Sequence, residues 1–447
     1  MKAGWQTLRF SDLGRVFNGN SISEADKKKY FSGQIEGLPY IATKDVGFDH
    51  SINYESGVRI PEGKQRDFKL APANTVLVCA EGGSAGRKIA HLDEPVSFGN
   101  KLFAISPSHP HSSRLVFYYC LSDAFSKQFR AGMAGLIGGV SINKFKELTI
   151  QLPVAAEQYR IVAILDEAFD GMATAKANAE KNLQNTRSLF DRALDSAILG
   201  GLQSQAEGDS PVEALIRQID RQRADAIEQG RAKRLKADEI EVPSVGQAAI
   251  PDRWQWVQLE RLTTGISDGV HKKPKYVNSG VPFVTVKNLT AGPGISFDDL
   301  NYVTRADHEE FIRRTHPERG DILITKDGTI GVIRLIDVDI EFSIFVSVAL
   351  IKPVMRELGP YLTYALRASC VQSQIVPQGA ALKHLYLVDL RRLVVPLPPL
   401  AEQNRIVSRL DDLAAEVERL ESIYQQKLTA IDDLRKSLLH QAFSGAL

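Results

Sequence analysis

The chain has 447 residues, 43% of them apolar and 24% charged, which describes two or three ordinary globular domains and excludes a collagen-like, disordered or disulfide-stapled chain. No apolar run approaches the roughly 18 residues needed to span a bilayer, and the start Met1-Lys2-Ala3-Gly4-Trp5 lacks a signal-peptide core. Formal net charge is +1 but uneven: residues 1–156 carry +5 and 251–400 carry +2, while 157–202, 203–250 and 401–447 carry −2 each, so the irregular segments suit phosphate better than the helical ones.

In chain order, residues 1–152 read as an α+β globule. Short β-rich runs such as Gly37-Leu38-Pro39-Tyr40-Ile41 and Val76-Leu77-Val78 are bounded by Gly, Pro and Asn, and Leu115, Tyr118, Leu121, Phe125 and Phe129 keep helical spacing over 112–130. Residues 153–202 predict one long helix. Residues 203–250 predict a linker with a polar helix over 211–236, seven basic against three acidic residues from Arg217 to Lys236, which reads as a solvated face or as a contact with a partner or phosphates. Residues 251–397 predict a second globule, with a buried strand over 344–351 and a helix over 360–375. Residues 398–447 predict a second long helix of about 45 residues, roughly 65 Å, begun at Pro399 and ended at Ser444-Gly445. Cys79, Cys120 and Cys370 are far apart in sequence, as in a cytoplasmic chain with reduced thiols.

The chain states one phrase twice. Leu152-Pro153-Val154-Ala155-Ala156-Glu157-Gln158-Tyr159-Arg160-Ile161-Val162-Ala163-Ile164-Leu165-Asp166 returns, 245 residues on, as Leu397-Pro398-Pro399-Leu400-Ala401-Glu402-Gln403-Asn404-Arg405-Ile406-Val407-Ser408-Arg409-Leu410-Asp411. The offset holds to Gly200 and Gly445, and to Leu202 and Leu447. Apolar steps of three and four give each helix one stripe, which must be buried. The stripe of the first copy is small where that of the second is large, which predicts an antiparallel pair with Ala168 facing Ile431, Ala175 facing Tyr424, Ala179 facing Leu420 and Ala193 facing Ile406. The expected interface is Ile161, Leu165, Ala168, Ala175, Ala179 and Leu183 against Ile406, Leu410, Leu413, Leu420, Tyr424 and Ile431. The irregular segments repeat more weakly: Trp5-Gln6 matches Trp254-Gln255, Lys44-Asp45-Val46 matches Lys287-Asn288-Leu289, and Val76-Leu77-Val78 matches Ile322-Leu323-Ile324.

Catalytic patterns are missing. Gly82-Gly83-Ser84-Ala85-Gly86-Arg87-Lys88 lacks P-loop spacing, and Gly132, Gly135, Gly138 and Gly139 lack dinucleotide-binding order. No His-Glu-x-x-His, Cys/His metal spacing or Gly-x-Ser-x-Gly elbow occurs. Glu62-Gly63-Lys64 with Asp49 could mimic a metal-dependent nuclease, but the second copy reads Arg305-Ala306-Asp307 there.

The doubled phrase Leu-Pro-x-x-x-Glu-Gln-x-Arg-Ile-Val-x-x-Leu-Asp resembles the helical regions of specificity subunits of type I restriction–modification systems; Pro251-Asp252-Arg253-Trp254-Gln255-Trp256 and Lys326-Asp327-Gly328-Thr329-Ile330-Gly331 also look like parts of them. The first copy departs from the pattern with Pro153-Val154 in place of Pro-Pro. The resemblance implies an α+β fold of two similar target-recognition domains joined by two long helices, packed as an antiparallel coiled coil with pseudo-twofold symmetry. It implies a non-catalytic subunit that reads a bipartite, asymmetric site in double-stranded DNA and uses the helices as spacer and dock for two DNA-adenine methyltransferase subunits, with two restriction subunits as further partners. On that implication S-adenosylmethionine, ATP and Mg2+ belong to the partners and this chain binds no cofactor or metal.

DNA-contacting residues are expected on polar or glycine-rich loops of both copies. In the first these are Lys44, Arg87, Lys88, Ser141, Asn143 and Lys144; in the second, Lys287, Asn288, Lys326, Lys383 and His384. The alternatives are a stand-alone two-headed DNA-binding regulator, a fused nuclease and a protein-binding scaffold. Tight specific binding by the chain alone, metal-dependent cleavage, and absence of salt-sensitive DNA binding would mark them in turn.

Overall fold

A computed structural model describes residues 4–134, 138–201, 209–234, 250–379 and 383–447. Leu202 and Gly135, singled out above, lie outside them, as does most of the stretch following the linker helix. The chain divides into two units, Met1–Asn182 with Ile423–Leu447, and Leu183–Ser422. Among the described residues no helix is long and apolar enough to cross a membrane.

Unit 1 opens with strand Gln6–Arg9, which pairs antiparallel with Thr149–Leu152, Gln6 opposite Leu152. The start and finish of the globule thus lie side by side, and the chain runs from Leu152 almost directly into the first long helix, Ala155–Ile198. Between them lies an antiparallel sheet in the order Gly14–Asn18, Leu102–Pro107, Val76–Cys79, Ile89–His91. A second sheet runs Arg59–Ile60, Leu38–Ile41, Val96–Phe98, Leu70–Ala71, its central pair parallel. Alternation along the strands splits the core. Val16, Val76, Val78, Phe103 and Ile105 pack on the helices, while Phe17, Leu77, Cys79 and Ala104 turn to the second sheet.

Unit 2 repeats the plan. Gln255–Gln258 pairs with Val394–Leu397, and the main sheet runs Thr263–Asp268, Val348–Pro353, Ile322–Thr325, Ile333–Leu335. The smaller sheet runs Asn301–Val303, Val281–Val284, Ser343–Ile344, again with one parallel pair. The apolar run over 344–351 is therefore two strands in two sheets, because the chain crosses between them at Phe345, Val346 and Ser347. The helices expected over 112–130 and 360–375 are each broken: Pro110–Cys120 is followed by Asp123–Gly132, capped by Ser122, and Gly359–Arg367 by Ser369–Gln372.

The doubled phrase joins each globule to its long helix. Gln158 Nε2 donates to Pro153 O at 2.8 Å, and Gln403 Nε2 donates to Pro398 O at 2.8 Å, holding the chain as it enters the helix. Ile161 and Leu165 enter the unit 1 core, as Ile406 and Leu410 enter that of unit 2. Each such side chain contributes about 1.5–3 kcal/mol. The closing aspartate accepts a tyrosine hydroxyl from the globule: Tyr118 on Asp166, which Arg114 also engages, and Tyr364 on Asp411 at 2.6 Å. A glutamine clamps the strand that leads into each helix. Gln128 gives to Thr149 O (2.9 Å) and takes from Thr149 N (3.1 Å), and Gln374 does the same at Val394, at 2.9 Å both ways.

The second long helix is Leu400–Ser444, ending at Gly445 with φ 74°. Within each unit the two helices run antiparallel. In unit 1, Ile161 and Leu165 share a core with Leu439 and Ala442, and Arg160 donates to Leu447 O at 2.7 Å. In unit 2, Phe190 and Leu194 share a core with Ile406 and Leu410, and Arg187 pairs with Glu421 at 2.6 Å. Of the expected interface, Ile161, Leu165, Ala179, Ile406 and Leu410 are buried; Ala168, Leu183, Leu413, Leu420, Tyr424 and Ile431 are half-buried. Ala175 is not: residues 173–178 are all exposed, since a run of Ala, Thr, Lys and Asn has no side chain large enough to seal a seam. The stripe also drifts. Leu189 and its repeat Leu434 are 58% and 56% exposed, and the inward position passes to Phe190 and Arg435. Arg435 donates to His50 Nε2 at 2.7 Å while His50 Nδ1 gives to Ile89 O at 3.0 Å; burial and the guanidinium push the His50 pKa down to about 4, keeping the ring neutral.

The linker helix, Val212–Glu228, is not a solvated rod. Val212, Leu215, Ile216 and Ile219 enter the unit 2 core, and buried Arg223 donates to Thr263 O and Lys233 O.

Removing the hydroxyl that docks the helix, Tyr364→Phe, is expected to lower unit 2 stability by about 1–2 kcal/mol, because Asp411 loses a charge-assisted partner. Urea unfolding followed by tryptophan fluorescence would report it, and adding Asp411→Asn should cost little more.

Candidate nucleic-acid interface

In unit 1 the loops at one end of strand Val76–Cys79 gather most of the expected residues. Lys88 Nζ donates to Thr43 O at 3.0 Å, tying its loop to the turn that carries exposed Lys44. That turn is locked by Asp45, which accepts from Ala42 N at 2.8 Å. Phe48, 57% exposed, lies beneath both cations, 5.0 Å from the Arg87 guanidinium and 5.2 Å from Lys88 Nζ. Two cations over an outward aromatic make a surface that can hold phosphate and stack on a base. Beside it, Gly82 N donates to Gly138 O (3.0 Å) and Val140 N to Ala80 O (3.1 Å). This fixes the start of helix Ile142–Glu147, which Ser141 caps and on which Asn143 and Lys144 are exposed.

Unit 2 keeps the frame but spends some of the expected residues inside it. Lys326, 2% exposed, pairs with Asp268 at 2.7 Å, and Asp268 also accepts from Arg314 at 2.7 Å. Asn288 is buried, its Oδ1 accepting from Thr285 N at 3.0 Å and its Nδ2 giving to Ser296 O at 3.2 Å. Both side chains are occupied by framework contacts and do not reach solvent. Lys287 is exposed and paired with Asp299. Lys383 is exposed; His384 bonds Asp327 and lies edge-on to Tyr386, ring centroids 4.8 Å apart. The bridge between Asp327 and His384 answers that between Glu81 and Gly139 in unit 1, so both units build their loop pair at the same strand end.

Phe48, Tyr386 and Asp327 were not among the expected residues. Phe48 had one signal, an aromatic in the polar turn Gly47-Phe48-Asp49 where it has no core to join. For the nuclease alternative, Lys64 Nζ lies 3.9 Å from the Tyr30 ring centroid, and no group of three His, Cys, Asp or Glu among the described residues could hold a metal ion.

Two globules of one strand order, each docked on a long helix and each presenting polar loops at the same strand end, define a duplicated binding protein. The chain belongs to the family described as type I restriction modification DNA specificity domain, whose model matches residues 2–184 and 251–429. It is similar to the type I restriction enzyme EcoBI specificity subunit of Escherichia coli, 24% identical over 99% of this chain and 86% of that one. It is also similar to the EcoKI specificity subunit of E. coli strain K12, 22% identical over 99% and 89%. Among solved structures it resembles a chain of a type I R-M system studied for complex assembly and conformational transition, with TM-score 0.68 at 18% identity, covering 100% of this chain and 99% of that one. The HsdS subunit of Thermoanaerobacter tengcongensis matches with TM-score 0.52 at 18% identity over 100% and 98%. At such identity these structures speak for the fold.

The Asp268–Lys326 pair gives a prediction. Desolvation opposes the Asp268 charge, but Lys326 and His271 outweigh it and hold the carboxyl below its ordinary range. The pair's stabilisation is thus whole above the unfolded aspartate pKa of about 3.9 and lost as pH falls through the lower folded value. Lys326→Met should cost about 3–5 kcal/mol at pH 7 by leaving the buried Oδ2 of Asp268 without its partner while Arg314 still holds Oδ1, and Asp268→Leu with Lys326→Met should recover most of it. Urea unfolding midpoints at pH 7 and pH 3 would check both.

Proposed function

We propose that this chain is the DNA-reading subunit of a type I restriction–modification complex, each globule reading one half of a bipartite, asymmetric duplex site. What supports this most is one fact: a single chain carries two globules with the same main-sheet strand order, each with cations and aromatics on loops at the same strand end. Side chains there, including Arg87, Asn143, Lys383 and His384, are the choice for base edges and adjoining phosphates. The docked helices, 44 and 45 residues long, act as the spacer between half-sites and as the seat of two DNA-adenine methyltransferase subunits. On this reading methyl transfer uses S-adenosylmethionine on the partners, and cleavage uses ATP and Mg2+ on restriction subunits where those join. This chain supplies recognition and no catalytic group.

The test is to map methylated adenines in a host carrying this gene with its genomic neighbours, against the same host without it. The expected result is one motif of two defined segments separated by a fixed number of unspecified base pairs. A single contiguous motif, or no methylation dependent on the chain, would refute it. Within that assay Arg87→Ala should relax one defined segment and leave the other unchanged.

A further inference from the structure

The two units share a second basic feature, which in unit 1 meets the loops above at Lys44. Each carries an adjacent lysine pair, Lys27-Lys28 in unit 1, seven residues beyond Asn20, and Lys272-Lys273 in unit 2, two residues beyond Val270. Each pair follows an equivalent backbone crossing: Asn20 bridges Gly99, and Val270 bridges Phe345, both in parallel sense. Gly19 and Gly269 permit that crossing, since a Cβ on either would overlap the carbonyl of Phe98 or Ile344.

Each pair lines a cleft, of about 380 Å³ in unit 1, where Lys44 joins it, and about 530 Å³ in unit 2, where His271, Lys275 and Arg314 join it. Lys27 pairs with Glu24 at 2.6 Å, but no ion pair among the described residues involves Lys28, Lys272, Lys273 or Lys275. The acids on the rims are largely engaged: Glu24 by Lys27, Asp45 by Ala42 N, Asp307 by the Thr304 hydroxyl at 2.7 Å, with Glu310 remaining. In unit 2 an exposed tyrosine braces the cluster: Tyr276, 37% exposed, has the Lys273 ammonium 5.7 Å from its ring centroid. Like charges so gathered repel one another until an anion enters.

We propose that the two lysine clefts are matched phosphate sites, each gripping the DNA backbone at one half-site without regard to base sequence. The inference rests on the two-headed reading above and adds where sequence-independent affinity resides. The test measures binding of the 447-residue chain, co-purified with the methyltransferase subunits encoded by its genomic neighbours, to poly(dI-dC) duplex across a salt series, and the sequences the complex selects from a randomised duplex pool. The variants are Lys27→Gln with Lys28→Gln, and Lys272→Gln with Lys273→Gln.

Each double variant should lose roughly ten- to fifty-fold in affinity at about 0.1 M salt, and the log–log salt slope should fall by about 2, with selected half-sites unchanged. The exposed single variants Lys28→Gln and Lys272→Gln should each give about half the slope change, which a folding defect would not. Unchanged affinity and slope would overturn the inference and leave the two-headed reading standing. A changed half-site with an unchanged slope would also overturn it, making these lysines base readers. A wild-type complex that binds neither duplex would overturn both.

Discussion

The docking of a globule onto the first three turns of a long helix is the contact on which the rest of this molecule depends. It is made twice with the same chemistry. A buried glutamine holds the entering chain by its proline carbonyl, isoleucine and leucine fill the globule's core, and an aspartate takes a tyrosine hydroxyl. A helix of more than forty residues with small residues along its middle has little to bury by itself. Its ends are therefore secured by the globules, and the globules in turn gain a fixed stem. Because strand pairing brings each globule's two ends together beside that stem, the domain is attached at one place and its remaining loops are left free for contact.

That arrangement separates frame from function within each unit. The strand order, the glutamine clamps at Thr149 and Val394 and the bridges at Glu81 and Asp327 recur, whereas the residues hung on them differ. Unit 1 sets Phe48 beneath Arg87 and Lys88, while at the bridge that matches Glu81–Gly139 unit 2 has a histidine held by an aspartate. Unit 2 buries an ion pair, Asp268–Lys326, where the matching strand end in unit 1 carries Asn18 and Ala80. Two surfaces on one scaffold with different side chains are what recognition of an asymmetric target requires.

Much of this was legible in the amino-acid sequence because the docking contact demands the same residue types at the same spacing each time. The long helices followed from apolar periodicity, their ends from the capping glycines, and the short strand runs from the Gly, Pro and Asn that bound them. The tyrosine partners did not, since Tyr118 and Tyr364 sit in segments where the offset is 246 and the match is weak. The linker helix had the right spacing at Leu215, Ile216 and Ile219, but its arginines masked an apolar face that completes the unit 2 core. Lys326 looked like a loop cation because burial of a lysine depends on Asp268, 58 residues away, which no local pattern encodes. The seam was overextended at Ala175 because helical spacing reports direction along a stripe and says nothing of whether a small side chain finds a partner.

If each globule is an interchangeable reader on a common stem, a chain with residues 6–152 copied in place of 255–397, and with the linker-helix residues Val212, Leu215, Ile216 and Ile219 changed to polar ones because they lose their core, should fold, since the copy brings its own strand pair, tyrosine and glutamine clamp. The decisive measurement is the set of duplexes this chain selects from a randomised pool when assembled with the methyltransferase subunits encoded by its genomic neighbours. Two identical defined segments, both matching the one read by the first globule, are the result this account requires. Selection of the original asymmetric site, or of a site with only one defined segment, would contradict it.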